Sequence, residues 1–268
     1  MATKIPEAIR RIFTEAFIAR DIAEPLASFD AGANAADVRE YMDAKGLDVL
    51  GIRSSGEIVG FALKQSLEDG PCGRSQRPMS EAHVLSDSAS LLSVLTEMNH
   101  APFLFITVLG AVGGVITPAD LQKPPVRMWV FGIVTLIEMR CMELIERHCP
   151  ADSWKEYVSE GRLQKAQALL DERSRRGQNV RLFDCLQFSD KGQIIARHEG
   201  IRQQTIFTSR RQAEDATKKL ELLRNNIAHA QDILKDDLET IVQLCDFVTR
   251  QYGIAVPSDR GGKNHGAT

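Results

Sequence analysis

The stretch ADVREYMDAKGLDVLGIRSSGEIVGFALKQSL, residues 36–67, can be laid over ASLLSVLTEMNHAPFLFITVLGAVGGVITPADL, residues 89–121, with a single one-residue gap. Val38, Met42, Val49, Gly60 and Leu67 then fall on Leu91, Leu95, Phe103, Gly114 and Leu121. Each copy begins with apolar residues three and four apart, as on one helix face, and continues as two short apolar runs that read as strands. Ser54-Ser55-Gly56 marks the turn between the runs in the first copy, and Leu109-Gly110 marks it in the second. The apolar spacing then signals the start of another helix. One such helix–strand–strand–helix unit cannot bury both sides of its own sheet, so the two are expected to pack as one α/β domain. EDGPCGRSQRP, residues 68–78, rich in glycine, proline and charge, is the loop between them.

The second copy closes on GGVITPADL, Gly113 to Leu121. This ending, found at matching offsets in a doubled unit, resembles the closing motif of a cystathionine-β-synthase-type (CBS) module, and residues 22–125 resemble a CBS pair. The resemblance implies a flat, two-cleft regulatory domain that in some members binds an adenine nucleotide, AMP, ADP or ATP. Gly113 and Gly114 allow close backbone approach, Thr117 and Pro118 open a helix whose N–H groups favour an anion, and Asp120 can accept from ribose hydroxyls. In the first copy Leu63 and Ser66 hold the places of Thr117 and Asp120, so the second cleft is the better candidate. A purely structural reading stands beside it: Thr117 caps the helix, Pro118 occupies its first position and Asp120 complements its dipole.

After Pro124-Pro125 the short alternating runs give way to long helical periods, which places a boundary near residue 126. Residues 126–254 are expected to be all-α. Ile133, Leu136, Ile137, Cys141, Leu144 and Ile145 mark a first helix that ends near Cys149-Pro150, and its uniformly apolar start implies burial on every side. Further helices are expected over 152–173, 180–198 and 209–234, and a last one carries Leu238, Ile241, Cys245, Val248 and Tyr252. Residues 1–21 are assigned to an N-terminal helical segment, and residues 255–268 to a disordered tail.

Within the helix expected over 209–234 lies LLRNNIAHAQ, with Arg224, Asn225 and His229. An arginine, an asparagine and a histidine at this spacing resemble the R-x4–6-H motif of HEPN domains. That resemblance implies a helical domain working as a homodimer, and in many members a metal-independent ribonuclease that leaves a 2′,3′-cyclic phosphate. Histidine can move a proton near neutral pH, and arginine can neutralise a phosphate on which charge develops. Arg224 and His229 stand about 140° apart around an ideal helix, so convergence on one substrate calls for a bend or a second subunit. The alternatives are a solvated helix surface and a non-catalytic module that binds RNA, a nucleotide or a protein partner. Arg173, Arg175, Arg176, Arg181, Arg210 and Arg211 are candidates for an RNA-tracking patch, or a solvated face.

Composition narrows the classes. The chain of 268 residues is 43% hydrophobic and 26% charged, with net charge −3, values of an ordinary folded protein with no whole-surface grip on nucleic acid. Its five scattered cysteines include no C-x-x-C pair, so reduced thiols and no metal site are expected. The apolar run from Met128 to Ile137 is too short to span a bilayer, which takes about 20 residues. No export signal is evident, and a cytoplasmic location without membrane attachment is expected.

Overall fold

The computed structural model describes residues 16–229, 231–233 and 237–244. The expected segment 1–21 and the last helix therefore lie only partly within the described residues, and the tail over 255–268 lies outside them. The chain divides into two compact units between Val126 and Arg127, and the first described residues, from 16, already pack with the first unit.

The first unit contains strands β1 (Glu24–Pro25), β2 (Ser28–Asp30), β3 (Val49–Ser54), β4 (Glu57–Leu63), β5 (Arg77–Pro78), β6 (Val84–Ser86), β7 (Leu104–Val108) and β8 (Ala111–Ile116), with helices α1 (Ala35–Lys45) and α2 (Leu91–Met98). Asn34 caps α1 through the Ala36 N–H at 2.9 Å, and Ser90 caps α2 through the Ser93 N–H at 3.1 Å. Gly46, in the left-handed region at φ 65°, ends α1. In place of the second helix expected in each copy there are only 3-10 turns, Lys64–Ser66 and Pro118–Gln122.

The strands form two four-stranded sheets, β2-β3-β4-β5 and β1-β8-β7-β6. The hairpins match residue for residue: Ile52 faces Gly60 in one, Ile106 faces Gly114 in the other, and each pairing slips one residue further along. Both turns carry positive φ at their two central residues, 54° and 85° at Ser55-Gly56, 52° and 84° at Leu109-Gly110. That is the turn whose twist suits a two-residue hairpin. Leu109 holds this conformation fully exposed, with no packing to offset the steric cost of its Cβ.

The short strands are exchanged between copies. β1 precedes β2 in the chain yet pairs with β8, Pro25 opposite Gly114; β5 precedes β6 yet pairs with β4, Pro78 opposite Gly60. The glycines make this possible. A Cβ on Gly60 would lie 2.5 Å from the Arg77 carbonyl oxygen, and one on Gly114 would lie 3.2 Å from the Ile106 Cβ and 3.4 Å from the Glu24 carbonyl oxygen. Between the copies Phe61, Phe103 and Phe105 form a cluster with ring centroids 5.2–6.0 Å apart, joined by Leu26, Val49 and Val115.

The described part of the second unit consists of helices and turns, with no strand among the described residues. Its α-helices are α3 (Pro124–His148, begun at the boundary), α4 (Glu160–Arg175), α5 (Phe188–Arg197), α6 (Glu199–Arg202), α7 (Arg210–Ala228) and α8 (237–244). Three sequence expectations need correction. The helices over 152–173 and 180–198 are shorter, because 3-10 turns at Pro150–Tyr157 and Leu182–Cys185 precede α4 and α5. Helix α7 stops at Ala228 rather than 234, and His229 forms its C-cap. Helix α3 is not buried on every side: Met128, Phe131 and Met139 are 62%, 49% and 52% exposed. Inside the unit Arg162 binds Asp190 through two bonds of 2.7 and 2.9 Å, and the buried Lys191 ammonium sits 3.0 Å from Glu138.

The two glycines predict an ordered pair of effects. Gly60→Ala should destabilise the chain by about 1–3 kcal/mol and Gly114→Ala by less, because only Gly60 faces backbone inside contact distance. Leu109→Gly should stabilise by about 1 kcal/mol, since it relieves the left-handed leucine. Chemical denaturation of the three variants measures all of these.

Candidate functional site

The closing motif of the second copy is built on β8 and the turn after it. Gly113 is exposed on β8, while Gly114 is buried where β1 crosses. Thr117 is the half-buried N-cap, Pro118 takes the first position of the turn, and Asp120 is buried beneath it. The Asp120 carboxylate reaches back to accept from the Thr117 N–H at 2.7 Å and the Thr117 hydroxyl at 2.9 Å, both on Oδ2. Its Oδ1 lies 2.8 Å from the Lys123 ammonium, which also donates to the Ile22 carbonyl at 2.6 Å and binds the Glu24 carboxylate. Burial by itself lowers the Lys123 pKa, yet the Asp120 and Glu24 carboxylates outweigh it and hold the ammonium above its ordinary value.

Thr117 and Asp120 are thus brought together, and Lys123 and Glu24 join them. Those two partners carried no signal in the motif, because Glu24 comes from a strand almost a hundred residues earlier in the chain. A carboxylate offers about four acceptor sites, and three are filled here. In the first copy the corresponding turn begins at Leu63 with no side-chain cap.

The second group of candidates lies at the end of α7. Arg224 and Asn225 occupy its last turns and His229 its C-cap, all three exposed. The His229 N–H donates to the Asn225 carbonyl at 3.0 Å, so the helical register persists to this residue. Among the described residues no side-chain hydrogen bond or ion pair joins the three.

The basic cluster is largely matched by acids. Arg176 pairs with Glu172 at 2.5 Å, Arg181 with Glu146 at 2.7 Å and Asp184 at 2.8 Å, Arg210 with Glu214 at 2.8 Å, and Arg211 approaches Asp215 at 3.9 Å. Arg175 donates instead to the Asp171 backbone carbonyl at 3.3 Å.

One grouping has no signature in the sequence. His148 at the end of α3 and His198 before α6 stack edge to face with centroids 5.8 Å apart, and Tyr157 lies 5.4 Å from His198. His198 Nδ1 accepts the Ile201 N–H at 3.2 Å, while the Gln204 amide donates to His148 Nε2 at 2.7 Å. Residues fifty apart in sequence meet here because two helix ends converge. Among the described residues no three His, Cys, Asp or Glu side chains converge as a metal site would require. The Cys141 thiol is pushed up to about 12 by burial, with the Glu138 carboxylate adding to the effect. No described helix is long and apolar enough to cross a membrane.

Solved structures of CBS domains are similar to about two fifths of this chain. The CBS domain of a bacterial CNNM/CorC family Mg2+ transporter, solved in complex with ATP, is 16% identical, with TM-score 0.36, over 44% of this chain and 92% of that one. The CBS-pair protein CBSX2 of Arabidopsis thaliana is 14% identical, with TM-score 0.37, over 42% of this chain and 96% of that one. An uncharacterized conserved protein from Pyrococcus horikoshii is 17% identical, with TM-score 0.36, over 40% and 90%. No protein-family model and no curated protein matches the sequence.

Because Asp120 serves two donors and an ammonium at once, Asp120→Ala should lower stability by about 2–3 kcal/mol, and Thr117→Ala by about 1 kcal/mol. Urea titration of the full chain checks the order. Equal effects would mean that Lys123 takes no part.

Proposed function

We propose that residues 22–125 form an adenine-nucleotide-sensing CBS pair that regulates the helical unit over 126–254, with the nucleotide held at Gly113, Gly114, Thr117, Pro118 and Asp120. The observation that carries this reading is an asymmetry between two otherwise matched copies. The first copy completes its hairpin, its exchanged strand and its closing turn without any Thr–Asp pair. A Thr–Asp pair is therefore not a general requirement of the closing turn in this repeat. Thr117 is accessible at the N-terminus of the turn, and Asp120 keeps an acceptor site that a ribose hydroxyl can fill. Calorimetry of the full chain with AMP, ADP and ATP tests the assignment. Binding of at least one nucleotide is expected, weakened tenfold or more, about 1.4 kcal/mol, in a Thr117→Ala variant that melts as a folded protein. The absence of heat with all three nucleotides, or unchanged affinity in that variant, overturns it.

For the helical unit we propose two outputs in order of support. The first is a non-catalytic role, binding RNA, a nucleotide or a protein partner under control of the first unit; the acid-matched arginines favour recognition at a small site over a long nucleic-acid track. The second is metal-independent RNA cleavage by Arg224 and His229 with Asn225 orienting, favoured by the exposure of all three side chains at one helix end. Incubation with a mixed RNA pool in excess chelator separates them. Cleavage that leaves 2′,3′-cyclic phosphate, and that falls by about 10²–10⁴-fold in His229→Ala, supports the second. RNA that stays intact supports the first.

A further inference from the structure

Lys123 belongs to the closing turn of the second copy and also stands at the start of helix α3. Its ammonium is held by Asp120 at 2.8 Å, by the Ile22 carbonyl at 2.6 Å and by the Glu24 carboxylate, while its own carbonyl accepts the Val126 N–H at 3.1 Å and so closes the first turn of α3. One residue further on, Arg127 donates through Nη1 to the Gln231 carbonyl at 2.7 Å, with Nη2 on the same oxygen. Gln231 is itself folded back onto α7: its N–H reaches the Asn226 carbonyl at 2.8 Å, and the His229 N–H reaches the Asn225 carbonyl at 3.0 Å. The guanidinium therefore sits beside the C-terminal end of α7, where a helix favours a cation, and holds the chain just after the exposed Asn225 and His229.

Little slack separates Lys123 from Arg127. The rings of Pro124 and Pro125 fix φ, and a residue before proline is confined to extended backbone, as Lys123 is at φ −63° and ψ 148°. The backbone between the two basic residues thus has few soft torsions, and a rotation at Lys123 is carried to Arg127 rather than absorbed. Energetic coupling between sites travels through such runs of hydrogen bonds and stiff elements. We infer that Arg127 is a positioning residue that couples the closing turn at Thr117, Asp120 and Lys123 to the end of α7, so that a change at the turn alters the order of the backbone carrying Asn225 and His229. This rests on the proposed regulatory reading of residues 22–125 and applies to either output of the helical unit.

Hydrogen exchange of the full chain tests the coupling without any nucleotide, read at the His229 and Gln231 amides with the Ile194 and Ile195 amides of α5 as controls. Arg127→Met, which keeps the stem and removes the donors, should speed exchange at His229 and Gln231 by about tenfold. Lys123→Met should do the same through α3, with the controls unchanged. The double variant should exchange no faster than Arg127→Met alone, because both substitutions break one path, whereas two independent structural roles would multiply to about a hundredfold. Glu24→Gln and Arg127→Gln, milder changes, serve where either methionine variant fails to fold. Unchanged exchange at both amides in Lys123→Met, or a double variant that shows the full product, overturns the inference. A nucleotide that binds should shift exchange at His229 and Gln231 in the parent chain and leave it unmoved in Arg127→Met, which binds with parental affinity; a nucleotide that binds without moving these amides in the parent also overturns it. Where AMP, ADP and ATP all fail to bind, the nucleotide assignment falls and the variant comparison alone decides the coupling.

Discussion

The exchange of two-residue strands between the copies is the constraint on which the first unit depends. Neither sheet is complete without a strand that the chain delivers from the neighbouring copy, β1 to one and β5 to the other. Each delivered strand ends in a proline set opposite a glycine, Pro25 on Gly114 and Pro78 on Gly60. Proline lacks the N–H that would call for a further strand outside it, and glycine removes the Cβ that would hold the incoming backbone away. The phenylalanine cluster between the copies can close only once both exchanges are made.

The closing turn of the second copy follows from the same exchange. Because β1 lies beside β8, the Ile22 carbonyl and the Glu24 carboxylate arrive next to the turn that starts at Thr117, and Lys123 is drawn across to them. Asp120 then meets a cation as well as the donors of its own turn. A buried carboxylate with three partners is a stable arrangement, and its contacts tie the closing turn to the start of the domain.

Which features were legible in the sequence follows from how locally each is encoded. The two hairpins, their turns and the matched glycines were readable because period, turn residues and spacing all lie within some thirty residues. The strand exchange was not, since β1 and β5 are too short to show any period. The end of α7 misled for a different reason. Its apolar stripe continues through Ala230 and Leu234, yet the Gln231 N–H returns to the Asn226 carbonyl at 2.8 Å, the six-to-one bond of a helix terminus, and Arg127 binds the Gln231 carbonyl. An arginine a hundred residues earlier thus helps to fix where that helix stops, and with it the position of His229.

Helix α3 shows the limit of pattern reading most directly. A segment apolar around its whole circumference announces that every side needs cover, and on that ground it reads as a core helix. The sequence does not record how many neighbours the same chain supplies. Trp129, Val130, Ile133, Val134, Leu136 and Ile137 are covered, and the side bearing Met128, Phe131 and Met139 is not. Apolarity fixes the demand for burial, while topology decides whether the demand is met within one chain.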